Sequence, residues 1–397
     1  MVLHEVRVHP SAARLPREAQ LTWKLAELAA AAPPPEADVA AMVACRVIDN
    51  TGVALAAINR QPVATARVMA LAHPRPHGAT LFGLPAAIWV QAEWACWANA
   101  TAVRELDFHD CVSPGAHPGD NIAPLIAVAQ QMGCDGAALV RAIAVAYEVQ
   151  VALVKGMPLA PSQKEQTGHL CPATTAGLGA LLELPVSTIY HALNQAVLLA
   201  FSPRQTRTGD MTSWKAFVPG YSGKVAIEAM DRAMRGEASP SPVYEGQSGV
   251  IAYLYTYARA HRPATIDLWR RVHSVIDPAW EALYRQALPD RPALGGRLEI
   301  HLKDGRVISG EKAVADAHTH GARPMDHAGY VAKFRTLAGP MLASEVLEAF
   351  LSLAHALPEA TPEALSRLNP SVLPGRLHAD ALDGRGIFDH GLAVTDR

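Results

Sequence analysis

Between Arg104 and Ile122 the chain reads ELDFHDCVSPGAHPGDN, which places Asp107, His109, Asp110, Cys111, His117 and Asp120 in one turn-rich stretch. Those side chains support two kinds of chemistry. As metal ligands, imidazole, carboxylate and thiolate all suit zinc or iron. The spacing opposes that use, because a helix-borne metal pair needs i, i+3 or i+4 positions, whereas a Pro/Gly loop separates His109 from His117. As acid/base groups they need only proximity: a histidine titrates near neutral pH, and an adjacent carboxylate orients its tautomer. Asp107 stands at the end of a helical pattern, His117 on a turn before Pro118, and Asp120 or Asn121 where the next helix needs a cap. On residue type alone, Asp120 also reads as a plain cap, His109 as a solvated neighbour and Cys111 as a small buried thiol.

Two further stretches carry candidate groups. In QTGHLCPATTAGLGALLEL, His169 precedes a helix of small residues whose N-terminus favours an anion such as a carboxylate, although a locally satisfied structural histidine fits equally. In RQTRTGDMTSWKAFVPGYSGKVAIEAM, a loop with Arg204 and Arg207 leads to Lys215 beside Trp214, and the two arginines and the lysine suit a polycarboxylate. Alone, Lys215 reads as a solvated lysine.

The elements that must position these groups are mostly helical. From Arg17 to about Met234 one helical pattern follows another, separated by Pro/Gly punctuation. The stretches from Pro85 to Val103 and from Asn121 to Met132 are apolar nearly all round, which predicts interior or interface helices. After GEASPSPVYEGQSG the texture changes, and GGRLEIHLKDGRVISGEK predicts a β-hairpin turning at Asp304 and Gly305. Helices are expected over 266–272 and 280–287 before it, and over 326–337, 343–353 and 362–368 after it. The fold class is mainly α. The chain goes from α (1–250) to α+β (251–322) and back to α (323–374), and 375–397 reads as a loose tail.

Composition narrows the function. A chain of 397 residues suggests two domains, and 35 Lys+Arg against 37 Asp+Glu, with no long basic run, argues against nucleic acid and membrane partners. The first residues lack an apolar signal core and no run approaches eighteen apolar residues, so the expected location is cytoplasmic. Five cysteines without a C-x-x-C pair support neither a disulfide framework nor a zinc ribbon.

Taken together, LDFHD followed by HPGDN, GHLCPATTAGLGALLEL and MTSWKAFVPGYSGKVAIEA resemble, in order, the motifs of the MmgE/PrpD family, which includes 2-methylcitrate dehydratase and cis-aconitate decarboxylase. VHSVIDPAWEALYRQALPDRPALGGRLEIHLKDGR and AHTHGARPMDHAGYVAKFRTLAG are weaker matches, and the resemblance runs from about Ala19 to Leu357. It implies one large all-helical domain formed by the N-terminal half and the C-terminal helices, with a small, shortened α+β domain inserted. It also implies a lyase without cofactor or metal, usually a homodimer, acting by acid/base catalysis on a 2-methylcitrate-like or aconitate-like polycarboxylate. Asp107, His117, His169 and Lys215 would correspond to its catalytic positions, with Cys111, Asp120, Arg204 and Arg207 as candidate substrate-binding residues; Cys111 stands where the family often has threonine. The chain departs from the pattern between SGVIAYLYTYARA and RRVHSVIDPAW, where the family usually carries a much longer segment that closes over the site. That departure supports an alternative, a degenerate member acting as a helical dimer or binding module. A metal-dependent hydrolase built on His109, Cys111 and His117 is the second alternative.

Overall fold

In the computed structural model of the chain, residues 6–257, 296–312 and 323–378 are described, apart from positions 13, 113, 114, 208, 209, 211, 302, 303 and 305. The described residues are mainly helical. They divide into one compact unit formed by residues 1–258 and 331–397 and a second formed by 259–330.

The first unit is a helical bundle: α1 (Leu21–Ala30), α2 (Ala37–Ala56), α3 (Gln61–Leu71), α4 (Ala92–Glu105), α5 (Ile122–Met132), α6 (Gly136–Gly156), α7 (Thr167–Leu181), α8 (Val186–Ala200) and α9 (Trp214–Met234). At its centre lies α7, TGHLCPATTAGLGAL, of which every residue is buried. Its small residues explain the position. A Cβ on Gly177 would lie 3.0 Å from the Ala142 carbonyl of α6, so only glycine lets the two backbones approach this closely. The helices α5, α6, α8 and α9 pack round it. Two of the bundle's members, α2 and α6, are long and apolar enough to cross a membrane by length and composition, although polar residues interrupt both. More than half of each lies inside the bundle, as in core helices.

Two expected boundaries are corrected. The helix predicted from Pro85 begins only at Ala92, because the residues before it run against β1 (Pro74–Ala79): Val90 bridges Pro74 and Ala79, and the Arg75 amide donates to the Trp89 carbonyl. Gly78 permits that approach, since a Cβ there would sit 2.2 Å from the Val90 oxygen. The segment predicted as a loose tail is anchored at its start, where Asn59 bonds the Arg376 carbonyl and the His378 amide and Leu377 packs on the cluster round Ile58. The rest of it lies outside the described residues.

After the π-helical turn Ala252–Tyr257, β2 (Gly296–His301) and β3 (Val307–Lys312) pair antiparallel, Gly296 opposite Lys312 and His301 opposite Val307. Asp304 stands in the turn and accepts from the backbone N and the Nε of Arg306, so the predicted hairpin forms. The helices expected over 266–272 and 280–287 lie outside the described residues. The chain then forms α10 (His327–Ala338), α11 (Ser344–His355) and the short α12 (Pro362–Leu365). From Val331 these belong to the first unit: Phe334 stacks on Phe350 with ring centroids 4.8 Å apart and lies against Gly52 of α2.

Candidate active site

The ELDFHD and HPGDN motifs leave the end of α4 and enter α5 through a 3-10 turn, Pro118–Asn121. Leu106 closes the helix, and Asp107 then adopts φ 54°, the left-handed region that a non-glycine residue keeps only when its surroundings hold it. Three groups converge on its carboxylate. Arg104, one turn earlier on α4, ion-pairs with one oxygen at 2.7 Å; Lys215, from the first turn of α9, donates to the other; and His117 Nε2 stands 3.4 Å from the first. Burial alone would raise the Asp107 carboxyl, but Arg104, Lys215 and His117 outweigh it and hold it below the usual carboxylate range.

His117 is fixed by its other nitrogen. Nδ1 lies 2.8 Å from the Asp110 carbonyl, which can only accept, so Nδ1 carries the proton and Nε2 presents its lone pair towards Asp107. The ring is largely buried. Burial, and after it the positive charge of Arg104, lowers its pKa to about 4. At neutral pH His117 is therefore an uncharged base of defined tautomer, beside a carboxylate able to stabilise the imidazolium once a proton arrives.

Beneath this pair lies a buried polar scaffold. Asp110 accepts from the Gly119 amide at 2.9 Å and from the Tyr147 hydroxyl at 2.9 Å, so its side chain ties the two halves of the loop to α6. Gly119 has no room for a side chain: a Cβ would lie 2.6 Å from the Asp110 carboxylate and 2.8 Å from Asn50 Oδ1. Asp120 accepts from His109 Nε2 at 2.9 Å and from Gln166 Nε2 at 2.9 Å, while Gln166 Oε1 receives the His117 amide at 3.1 Å. Burial pushes Asp120 up, yet Arg104, His109 and His117 together hold it down at about 2.

Arg104 is the hub of this electrostatics. Its guanidinium is fully buried, and its Nε and Nη2 meet no hydrogen-bond acceptor among the described residues. A buried cation so thinly compensated acts strongly on every charge nearby.

Several sequence readings change. Asp120 is no helix cap; Asn121 occupies that position, and its side chain bonds Gln150, the Pro118 carbonyl and Thr174 instead of capping α5. His109 is buried and paired, not solvated, and Cys111 is exposed, not buried. Among the described residues, no three His, Cys, Asp or Glu side chains are grouped to hold a metal.

With this geometry in hand, the comparison with known families is decisive. Residues 19–262 match the MmgE/PrpD N-terminal domain and residues 245–358 the MmgE/PrpD C-terminal domain. The chain belongs to the MmgE/PrpD family. Members of that family are generally lyases or dehydratases.

In this MmgE/PrpD chain, Asp107, His117 and Lys215, the positions that the resemblance implied, stand together, with Asp120 one layer below. His169 is not bonded to them: its Nε2 donates to the Met157 carbonyl at 2.6 Å inside the bundle, and burial lowers its pKa to about 4. Arg204 and Arg207 form a 3-10 turn anchored by the Arg204 amide on the Gln163 carbonyl, and the Arg207 side chain lies outside the described residues. Arg104, Gln166 and Lys333 were missed, and Asp110 was named only as a possible metal ligand. Arg104 had a readable signal, one helical turn before Asp107; Gln166 and Lys333 act through contacts distant in sequence.

Proposed function

We propose that this MmgE/PrpD protein is a lyase that eliminates water, or carbon dioxide, from a 2-methylcitrate-like or aconitate-like polycarboxylate. The observation that carries the reading is the Asp107 carboxylate held by Lys215 and Arg104 and faced by the lone pair of His117. In a dehydration, His117 Nε2 takes the proton from the carbon beside a substrate carboxylate, and the electron pair left behind forms the double bond. Lys215, the partly exposed cation, binds the substrate carboxylate and donates a proton to the departing hydroxyl, which leaves as water. Asp107 orients Lys215 and stabilises the imidazolium formed on His117. No step draws on a metal or a cofactor.

The supporting test is turnover of 2-methylcitrate and cis-aconitate by purified protein. His117→Ala and Lys215→Ala are each expected to lower kcat by about 10²- to 10⁴-fold, the usual worth of a positioned proton-transfer group, with unchanged far-UV circular dichroism. Activity equal to wild type in both variants rejects the roles.

A cytoplasmic homodimer completes the proposal. The five cysteines carry free thiols, as suits a reducing compartment. Leu199, Tyr221, Met132 and Met234 are exposed and line one cleft of about 820 Å³ between α4, α5, α8 and α9, apolar side chains among charged ones that a second copy of the chain would cover. The second reading, a degenerate binding module, is favoured by the short stretch between the SGVIAYLYTYARA and RRVHSVIDPAW motifs. It predicts that wild type and Lys215→Ala consume these substrates equally slowly.

A further inference from the structure

Lys333, on α10, is not part of any candidate set drawn from the motifs, yet it reaches the catalytic loop. Its Nζ donates to the Phe108 carbonyl at 2.5 Å, lies 4.7 Å from the centre of the Phe108 ring, and pairs with Asp49 of α2 at 2.7 Å. The Asp49 side chain is almost wholly buried. Phe108 itself is 55% exposed, so its ring is not held by packing, and the backbone just before it is the left-handed Asp107. A single ammonium thus joins a buried anion, a backbone carbonyl and an aromatic face at the point where the loop leaves its helix.

We propose that Lys333 is a positioning residue for the acid/base loop: by clamping the Phe108 carbonyl to Asp49, it holds Asp107 in the left-handed conformation that presents its carboxylate to Lys215 and His117. The alternative role, that Lys333 merely neutralises Asp49, makes a different prediction. Burial raises the Asp49 carboxyl and Lys333 opposes that rise, so removing Lys333 alone leaves a buried carboxylate that takes up a proton or destabilises the fold. Removing both partners relieves that penalty while leaving the loop unclamped.

The test compares wild type, Lys333→Met, Asp49→Asn, the double variant and Lys333→Arg. The first readout is amide hydrogen exchange at Asp107 and Val112, whose N–H groups bond the Arg104 and Ala116 carbonyls. Exchange there is expected to quicken about tenfold in Lys333→Met and in the double variant, the factor that follows from losing one charge-assisted hydrogen bond, and to stay near wild type in Lys333→Arg and in Asp49→Asn. In Asp49→Asn the side-chain oxygen still accepts from Nζ while the Phe108 carbonyl keeps its donor. The second readout rests on the lyase reading: kcat falls about 10- to 100-fold with KM nearly unchanged in the same two variants, as misplacement of an oriented group would give. A double variant with wild-type exchange overturns the clamp and leaves Lys333 as a counter-ion. If wild type turns over neither substrate, the lyase reading has failed and the exchange data alone decide the clamp.

Discussion

His117 and His169 are both buried in the uncharged form, and the cost of charging them should make the fold lose stability in mild acid. Each has its pKa lowered from an ordinary 6.5 to about 4, chiefly by burial. The folded values lie below the unfolded ones, so between these limits the unfolded chain binds more protons and stability falls as pH falls. Between pH 7 and pH 5 this linkage removes roughly 2 kcal/mol per histidine, or about 4 kcal/mol for the pair, a large share of a typical stability of about 5–15 kcal/mol. His73 and His191, both lowered by partial burial, act in the same direction. The measurement is urea unfolding at pH 7 and pH 5 for wild type and His169→Gln, where glutamine can still donate to the Met157 carbonyl but takes up no proton. The variant should lose about 2 kcal/mol less than wild type over that interval. An equal loss in both proteins refutes the placement of a neutral, buried His169. A loss that grows as pH rises refutes the sign of the argument for both residues. The same linkage bears on the lyase reading, since a base with a pKa of about 4 keeps its lone pair throughout the neutral range. The acid limb of kcat/KM in wild type should then fall well below pH 6.5, the ordinary histidine value.

Two more outcomes separate the remaining assignments. Cys111 is exposed, and its thiol is pushed up by partial desolvation and the nearby carboxylates Asp110 and Asp107, which disfavours the thiolate; Cys111→Thr should leave turnover within about twofold of wild type. Leu199→Glu with Tyr221→Glu, placed among the exposed apolar side chains of the cleft, should convert the protein from twice the single-chain mass of 42.3 kDa to that mass by light scattering, and wild type already at 42.3 kDa removes the dimer proposal.

How much of this was legible in the sequence depends on the range of the interaction. The bundle follows from helical periodicity and Pro/Gly breaks, and the hairpin from Asp304 and Gly305, because both signals are local. Asp107 and His117 were legible for the same reason, since one loop carries both. Lys215 was legible only through its motif, because 108 positions separate it from Asp107. The start of α4 was misread because the apolar residues 85–90 satisfy a helical pattern equally well, and only the distant strand at 74–79 claims their hydrogen bonds. His109 and Asp110 read only as possible ligands or neighbours of the acid/base pair. Their burial depends on Tyr147 arriving from α6 and on the loop folding Gly119 and Asp120 back onto them, and no spacing within the loop records that.

The arrangement of charges suggests how binding and proton transfer are coupled on the proposed reading. Asp107 holds two cations of unlike character: Arg104, which is fully buried, and Lys215, which is partly exposed. A substrate carboxylate can therefore compete only for Lys215. As it does, it draws the ammonium away from one Asp107 oxygen while Arg104 keeps the residue ionised and in place. The freed negative charge then lies beside His117 Nε2, where an imidazolium must form if that ring takes the substrate proton. Before binding, Lys215 quenches Asp107, and His117 is a weak base; after binding, the same carboxylate strengthens it. Catalytic basicity would thus be drawn from the binding of an anion, which gives a physical reason for a polycarboxylate substrate over a neutral alcohol.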